Sequence, residues 1–375
     1  MSARAAFSDL LDATTALEQA WAASGATLER PPDLVALFCA GEHSDAAHDL
    51  AEALAELAPD AAVIGACAAD GVIGAGREQQ EGPALALLAV VLPAGARVTP
   101  FHAQVGEGHD GPELVGLPPA PGDALVIAIA DPHSTPVEQL VDGLGGVPVL
   151  GGFAGLGGRG AARLFSNGGC VEEGAVGLVL EGLPVSAIVS QGARPIGPEL
   201  VVTAAEGNLV VELAGRPALE RVQQVVEELP LTERVLLENG LLIGLVINEN
   251  RPEHRLGDFL VRGVLGADPD TGAIAIGDLP RVGQTVRLHV RDAESASREL
   301  DEMLAREGAQ PTSAALLFSC NGRGRNLFPQ ADHDAGAVAR ALGSDAVAGC
   351  FCQGELGPVG GQTFVHGYTA SVALW

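Results

Sequence analysis

Lysine is absent from the sequence: all 21 basic residues of the 375-residue chain are arginine. This absence excludes a lysine nucleophile, a Schiff base and a phosphate-binding P-loop, because each of these depends on a lysine amine. Positive charge as a whole is scarce, since 48 acidic residues against 21 basic ones give a net charge of −27. Nucleic acids and anionic membranes attract proteins through positive charge. We therefore exclude nucleic acid as a partner and regard an anionic membrane surface as disfavoured.

Long apolar runs are also missing. The longest, residues 84–92, has nine residues, whereas a membrane-spanning helix needs about 20, so we expect no membrane insertion. The N-terminus lacks a basic segment followed by an apolar run and does not predict a secretory signal. Six cysteines in a chain of this length do not indicate a disulfide scaffold. We expect a cytoplasmic protein with free thiols, and the abundance of Arg, Ala and Gly is typical of a GC-rich bacterial genome.

Three segments of the chain repeat one order of elements. Each has an apolar strand, a polar loop, an amphipathic helix, a second strand that contains glycine, and a closing apolar strand. The segments begin with LVALFCAGEH at 34–43, ALVIAIADPHS at 124–134 and AALLFSCNGRG at 314–324. Gly65, Gly151 and Gly349 occupy corresponding places in the second strands. We interpret the pattern as a β-α-β-β unit that is used at least three times.

The strands of these repeats are apolar at successive positions, which indicates that both of their faces are covered. Helices can cover one face, and a second sheet is needed for the other. The predicted fold class is α+β, with repeated β-α-β-β units that form stacked mixed sheets and carry their helices outside, in αββα layers. An open α/β sheet is the alternative. The closing strands follow after loops too short for a further helical crossover, which argues against it.

The predicted domain organisation has three parts. Residues 1–29 are expected to form an N-terminal helix capped by Ser8. Residues 30–220 and 221–375 are expected to form two modules, and no long linker separates them.

The most informative cluster of polar residues follows the first strand of the third repeat. The glycines there can adopt positive φ and expose backbone N–H groups, and the arginine can bind a carboxylate or phosphate in bidentate fashion. A short acidic and histidine motif follows just before the next helix. The candidate ligand-binding residues here are Cys320, Asn321, Gly322, Arg323, Gly324, Asp332, His333 and Asp334.

A second cluster follows the second strand of the same repeat. Because the two strands are expected to be neighbours, this loop should lie beside the first. Its candidate residues are Cys352, Gln353, Gly354 and Glu355. Cysteines and histidines of the two clusters could bind zinc in principle, but their spacing is not that of a zinc motif, and we predict no metal and no cofactor.

Together these motifs resemble the FIST family, with an N-terminal and a C-terminal FIST module. The resemblance spans about residues 30–375, and its most specific part is 317–358. It rests on CAADGVIG at 67–74, GRE at 76–78, LFSNG at 164–168, VSQGARPIG at 189–197, DFLVRG at 258–263, LFSCNGRG at 317–324, DHD at 332–334 and FCQGELGP at 351–358. Polar residues of these motifs and one nearby histidine are secondary candidates for the site: Asp70, Arg77, Glu78, Asn167, Gln191, Arg194, Arg262 and His366.

The resemblance implies a sensory module of signal transduction that binds small ligands such as amino acids. It provides no catalytic residues to carry over. We see no F-box, kinase, cyclase or methyl-accepting segment, so we expect the chain to pass its signal to a separate signalling protein.

Three functions are compatible with these residues. The leading hypothesis is a cytoplasmic sensor for amino acids or other small carboxylates, in which Arg323 pairs with the ligand carboxylate and Asp332 or Glu355 receives its ammonium group. One alternative is a cysteine-dependent enzyme with Cys320 as nucleophile and His333 as its base. The other is an acidic scaffold for protein interaction, which predicts salt-sensitive capture of a basic partner.

Overall fold

The computed structural model describes residues 1–108, 111–156, 160–251, 253–254, 257–307 and 313–375. The chain divides into two compact units. The large unit comprises residues 1–189, 300–365 and 369–375, and the small unit comprises residues 190–299 and 366–368. The two units are groups of residues that lie close together in space. The modules predicted at 30–220 and 221–375 are continuous parts of the sequence, and they stay a prediction.

The strands are numbered in chain order. They are β1 (Ser2–Ser8), β2 (Leu34–Ala40), β3 (Ala62–Cys67), β4 (Val72–Gly74), β5 (Arg77–Gln79), β6 (Ala84–Val91), β7 (Arg97–Gly108), β8 (Gly111–Val115), β9 (Leu125–Ala130), β10 (Val149–Phe153), β11 (Leu164–Ser166), β12 (Gly169–Val171), β13 (Ala175–Glu181), β14 (Ser186–Ser190), β15 (Ala193–Glu206), β16 (Leu209–Leu213), β17 (Arg216–Pro217), β18 (Leu241–Val246), β19 (Phe259–Ala267), β20 (Ile274–Ile276), β21 (Thr285–Arg291), β22 (Ala315–Cys320), β23 (Val347–Cys352), β24 (Glu355–Val359), β25 (Gln362–His366) and β26 (Ala370–Leu374).

The α-helices of the described residues are α1 (Ala13–Ala23), α2 (Ala47–Leu57), α3 (Val137–Gly143), α4 (Ala218–Glu228), α5 (Leu231–Arg234), α6 (Ala293–Glu307) and α7 (His333–Leu342). Short 3-10 helices lie at Gly25–Thr27, Gly41–Ala46, Val235–Asn239 and Gly324–Asn326. No helix in the described ranges combines the length and the apolar character needed to cross a membrane.

The N-terminus differs from its prediction. Residues expected to begin a helix form β1, which pairs antiparallel with β6 along its whole length. The helix begins only at Ala13, and Asp12 caps it by accepting a hydrogen bond from the Thr15 N–H at 2.8 Å. The prediction of Ser8 as the cap is therefore wrong; its hydroxyl instead donates to Gln19.

The predicted repeats are present in the large unit. In each of them the first and second strands pair in parallel: β2 with β3, β9 with β10, and β22 with β23. The closing strand pairs antiparallel with the first strand: β6 with β2, β13 with β9, and β26 with β22. Between the second and the closing strand each repeat has a small hairpin: β4–β5, β11–β12 and β24–β25.

These hairpins are exchanged in a cycle. The hairpin of the first repeat pairs with β23 of the third, that of the third with β10 of the second, and that of the second with β3 of the first. The three resulting sheets have the orders β1-β6-β2-β3-β11-β12, β25-β24-β10-β9-β13-β7-β8 and β14-β26-β22-β23-β4-β5. Every sheet of the large unit therefore needs strands from two repeats.

The repeat glycines allow the parallel strands to meet. A Cβ atom at Gly65, Gly151 or Gly349 would lie 1.7 Å from a carbonyl oxygen of the neighbouring first strand. No side chain tolerates that distance, so the glycine found at this place in every repeat is a steric requirement.

One apolar core joins the inner faces of the three sheets. Alternate residues of β2, β9 and β22 contribute to it, and the Phe38 and Phe318 rings meet edge to face with their centroids 6.2 Å apart. The outer faces are covered by α1 and α2, by α3, and by α6 with α7. The predicted α+β class, with mixed sheets and helices outside, is confirmed.

The small unit has one seven-stranded sheet in the order β15-β21-β18-β19-β20-β16-β17. An additional pairing of β15 with β16 closes this sheet on itself. Its core is small and includes Leu242, Val246 and Phe259.

We predict that Gly349→Ala destabilises the protein by about 3 kcal/mol, the upper end of the usual cost of overpacking, because the new methyl group would have to push β22 away from β23. The matched control is Gly122→Ala, where an added Cβ meets no atom within 4 Å. Urea unfolding of both variants measures the effect, and equal stabilities would contradict the steric explanation.

Candidate functional site

The third repeat differs from the other two at one buried register position. Each exchanged hairpin pairs with the second strand of another repeat, the strand that contains Gly65, Gly151 or Gly349. One hairpin residue lies opposite the residue that directly follows this glycine. These residues are Val72, Leu164 and Glu355. All three are fully buried. A carboxyl group therefore stands where the other two hairpins have valine and leucine, at a place where burial of a charge is costly.

The two oxygens of Glu355 have different surroundings. Oε2 accepts hydrogen bonds from the Thr369 hydroxyl at 2.6 Å and from the Thr369 N–H at 3.2 Å. Oε1 is buried and has no hydrogen-bond partner within the described ranges. Burial raises the pKa of Glu355 to about 8, although Thr369, the charge of Arg323 and the Cys320 thiol act in the opposite direction. The group is therefore mostly protonated at neutral pH.

Cys320 and Cys352 end the two parallel strands beside Glu355. They are register partners, and the Asn321 N–H donates to the Cys352 carbonyl at 2.8 Å, so the two predicted loops lie side by side. Cys352 is three residues after the repeat glycine, where the first two repeats have Ala68 and Ala154. The Cys320 thiol lies 3.7 Å from the Asn321 Oδ1 atom, at the edge of the site.

Arg323 and Asp334 form a fully buried ion pair. The Arg323 Nε and Nη2 atoms donate to the two Asp334 oxygens at 2.7 and 2.9 Å. Ser319 donates its hydroxyl to the same carboxylate at 2.8 Å. Burial by itself would raise the pKa of Asp334, but the charges and hydrogen bonds of Arg323 and His333 together outweigh it and hold that pKa well below its usual range. The expected pairing of Arg323 with a ligand carboxylate is thus corrected, because Asp334 already takes the bidentate face.

His333 is held between this carboxylate and an aromatic ring. Its Nδ1 atom lies 2.9 Å from the Asp334 Oδ1 atom. The imidazole stacks on Phe328 with centroids 3.5 Å apart and an angle of 6° between the rings. The same phenyl ring lies 5.2 Å from the Arg323 guanidinium carbon. Phe328 thereby fixes the orientation of both basic groups.

One wall of the site belongs to the first repeat. Glu78, on the exchanged β5, accepts from the Ala335 N–H at 2.9 Å and so satisfies the first turn of α7. In return the Glu78 N–H donates to Asp332 Oδ1 at 2.7 Å. Burial, followed by the charge of Asp334, raises the pKa of Glu78 to about 7. Asp332 holds the left-handed conformation, with φ of 57°.

Two further contacts complete this wall. Asn321 donates its amide to the Asp70 Oδ2 atom at 3.2 Å. Gln80 accepts from the Arg325 N–H at 2.9 Å. At Gly324, φ is +52° and a Cβ would lie 2.4 Å from the Gln80 Oε1 atom, so the turn requires glycine.

Other predicted residues lie at the rim or elsewhere. Gly322 is half-buried in the turn after Asn321, and Gln353 is exposed. The backbones of Gln353 and Gly354 pair with Phe153. Arg77 is exposed and covers the Phe7 ring at 4.4 Å.

Asn167 ties its turn to the start of β3 through hydrogen bonds with Ala61 and Val63. It lines an open depression of about 520 Å³ whose rim carries the Arg30–Asp33 ion pair.

Four predicted residues belong to the small unit. Gln191 donates to the Phe259 carbonyl at 2.6 Å, Arg194 pairs with Glu233 at 2.9 Å, Arg262 pairs with Asp278 at 2.8 Å, and His366 is buried.

Sequence reasoning missed four contributors: Ser319, Thr369, Phe328 and Gln80. Ser319, Thr369 and Phe328 each orient a residue that was predicted, and Gln80 holds the turn at Gly324 and Arg325. Only Ser319, within the apolar β22, and Thr369, directly before the apolar β26, gave a local signal. Among the described residues, no group of three or more His, Cys, Asp or Glu side chains is arranged to hold a metal ion.

Two family models match consecutive parts of the sequence. The chain matches the FIST N domain over residues 33–216 and the FIST C domain over residues 218–358. An uncharacterized protein of Mycobacterium tuberculosis is 40% identical over 353 residues, which cover 92% of this chain and 91% of the relative. An uncharacterized protein of Mycobacterium bovis is 37% identical over 369 residues, which cover 96% of this chain and 95% of the relative.

We predict that Arg323→Leu destabilises the protein by about 3–5 kcal/mol, because it leaves Asp334 charged and buried without its partner. Arg325→Leu is the matched control: this neighbouring arginine is exposed, and its pair with Glu81 lies in solvent. Urea unfolding should show a large loss for the first variant and no measurable change for the second. Similar stabilities for both would show that the Arg323–Asp334 pair does not anchor the loop.

Glu355→Gln should change how stability depends on pH. The carboxyl ionises near 4.5 in the unfolded chain and near 8 in the folded protein, so the folded state binds more protons between these values. Its contribution to stability is full below about pH 4.5 and is lost as the pH rises through 8. Glutamine does not ionise. The free energy of unfolding of the variant, relative to that of wild type, should therefore rise by about 1 kcal/mol or more between pH 5 and pH 9.

Chemical unfolding at several pH values measures this gain, with the exposed Glu56→Gln as control for the general effect of net charge. A difference between Glu355→Gln and Glu56→Gln that stays constant from pH 5 to pH 9 would contradict a raised pKa at Glu355.

Proposed function

Because the chain belongs to the FIST family, with a FIST N and a FIST C domain, we propose that it is a sensor that binds a small ligand at the strand ends of the third repeat. FIST domains are generally associated with sensory signal transduction and small-ligand binding. The cytoplasmic location and the separate signalling partner expected from the sequence are part of this proposal.

The observation that carries the choice of site is Glu355 at a position where the other two hairpins have apolar residues. A buried carboxyl costs stability, and here its Oε1 atom has no hydrogen-bond partner among the described residues, whereas a valine or leucine fits the same place in the other sheets. A buried titratable group whose pKa is strongly shifted is a good candidate for ligand recognition. The charge of Arg323 acts on Glu355, and Arg323 is itself paired with the buried Asp334, so the third repeat contains buried polar groups at the ends of otherwise apolar strands.

The ligand class we propose is amino acids, with other small carboxylates second. The ammonium group of an amino acid would take the place of the proton on the Glu355 Oε1 atom. Its carboxylate would lie toward the rim, where Asn321 is half-buried and Gln353 is exposed. Arg323 contributes by supporting the loop through Asp334, and its charge stays balanced within the protein.

Binding is tested by calorimetry and thermal unfolding with the twenty amino acids, each tried separately. For every amino acid that binds, the analogue without the amino group and the analogue without the carboxylate follow. We predict that an amino acid at a hundredfold excess over Kd stabilises the protein by about 2.7 kcal/mol, and that the analogue without the amino group binds at least tenfold more weakly.

Glu355→Gln keeps the shape of the side chain and removes its charge, so it should lose amino-acid binding while Glu56→Gln keeps it. Unchanged affinity in a folded Glu355→Gln protein would remove Glu355 from the site. If none of the twenty amino acids binds, the amino-acid class is wrong, and a small carboxylate that binds wild type would take its place.

The cysteine-dependent enzyme and the acidic scaffold stay alternatives from the sequence. For the enzyme, His333 has to act as the base for Cys320. The imidazole is bound to Asp334 through Nδ1 and stacked on Phe328, and the Cys320 thiol interacts with Asn321 and with Glu355. The contact of this thiol with the buried carboxyl supports the binding site that we propose.

A further inference from the structure

Three thiols form a row on one face of the sheet at the candidate site. Cys320 and Cys352 are direct neighbours in the parallel register of β22 and β23. Cys350 is two residues before Cys352 and therefore on the same face of β23. The sulfur atoms of Cys350 and Cys352 are 3.7 Å apart. The row begins at the strand ends and runs into the core.

The three thiols differ in access to solvent. Cys320 keeps 5% of its surface exposed, whereas Cys350 and Cys352 are fully buried. The Cys320 sulfur also touches the amide oxygen of Asn321, which is half-buried at the rim. Of the three residues, Cys320 is therefore the one with some surface open to a molecule the size of water, and its neighbour in the register is Cys352.

The backbone geometry allows these two residues to be joined. Adjacent strands lie about 4.8 Å apart, and a disulfide spans Cα atoms separated by about 4.4–6.8 Å. A bond between register neighbours needs rotation of the side chains and little movement of the strands. A bond between Cys350 and Cys352 is less favourable, because residues two apart along a strand have their Cα atoms about 6.6 Å from one another, at the far end of that range, and their Cβ atoms stay well beyond the separation that a disulfide prefers.

We propose that Cys320 and Cys352 form a reversible thiol–disulfide pair that small peroxides oxidise. The Cys320 sulfur attacks one peroxide oxygen, the O–O bond breaks, and the thiol proton leaves with the departing hydroxide as water. The resulting sulfenic acid is attacked by the Cys352 thiol, the S–O bond breaks, and a second water is released with the disulfide. Two thiols are oxidised by two electrons in total, and the peroxide is reduced by two. A cellular dithiol can restore the pair by exchange.

The disulfide would also alter the site described above. It draws the Cys320 sulfur toward Cys352 and away from Asn321 and Glu355. Ligand affinity should then differ between the reduced and the oxidised protein. This consequence rests on the proposed function, whereas formation of the disulfide does not.

The chain contains two internal comparisons. Cys39 and Cys67 are register neighbours in the first repeat with the same strand geometry, but both are fully buried. Cys170 is half-buried, and burial raises the pKa of its thiol to about 11. If strand register alone decided oxidation, the Cys39–Cys67 pair would react, and if exposure alone decided it, Cys170 would react first.

The test is peptide mapping of the full chain after treatment with hydrogen peroxide and then with an alkylating reagent. Because the chain has no lysine, trypsin cuts only after arginine. Cys320 is then in peptide 307–323, and Cys350 and Cys352 are both in peptide 341–375. A Cys320–Cys352 disulfide joins the two peptides and leaves Cys350 alkylated, whereas a Cys350–Cys352 disulfide leaves the peptides separate.

We expect the joined peptides to become the main oxidised product and to disappear on treatment with dithiothreitol, while Cys39 and Cys67 stay reduced. In Cys352→Ser the sulfenic acid on Cys320 has no partner and should be trapped by dimedone. Cys170→Ser should behave as wild type.

Three results would overturn the proposal: Cys320 alkylated in full after peroxide, a Cys350–Cys352 disulfide in its place, or oxidation of Cys170 ahead of Cys320. The mapping of wild type needs no variant, so it decides the matter even if Cys352→Ser fails to fold. If the disulfide forms and amino-acid binding is absent, the redox pair stands and the proposed function fails.

Discussion

The pairing of each hairpin with the sheet of another repeat is the constraint on which the large unit depends. β4, β11 and β24 supply backbone hydrogen bonds to β23, β3 and β10. Without the exchange, each of these second strands would end its sheet as an unpaired edge, which proteins avoid. No repeat can complete its sheet alone, and the third repeat, which lies more than 100 residues after the second along the chain, is therefore required by both of the others.

The same exchange builds the candidate site. It brings Glu78 and Asp70 of the first repeat to the loop that carries Asn321 and to the start of α7. Glu355 itself is on an exchanged strand, because β24 leaves the third repeat to pair with β10. The candidate site thus lies at the ends of the parallel strands β22 and β23. The hairpin β4–β5 of the first repeat joins this sheet there, and the hairpin β24–β25 of the third repeat leaves it to pair with β10. A ligand bound there would act on the pairing that holds the repeats together, and a change in that pairing is a physical route by which a sensor can transmit binding.

Much of this fold could be predicted from local patterns. Apolar strands, the repeat glycines and the short loops before the closing strands each have a sequence signal, and they identify the three repeats and the neighbouring positions of Cys320 and Cys352.

The exchange of hairpins could not be predicted, since residues 70–80 give no local sign that they pair with a strand more than 270 residues away. The role of Arg323 was missed for a related reason: a bidentate arginine looks the same in sequence whether its carboxylate is a ligand or Asp334. At the N-terminus, Asp12 and Ser8 are both good caps, and only the pairing of β1 with β6 decides between them.

We propose that the ligand binds at the strand ends of the third repeat. Hydrogen–deuterium exchange of the full chain, measured with and without an equal mixture of the twenty amino acids, tests where binding occurs. We expect slower exchange in peptides that contain the amides of Cys320, Asn321 and Thr369, and in the first-repeat segment 70–81 that contacts them, with little change across the small unit. Slower exchange confined to residues 190–299, or to the depression lined by Arg30 and Asn167, would show that the ligand binds elsewhere.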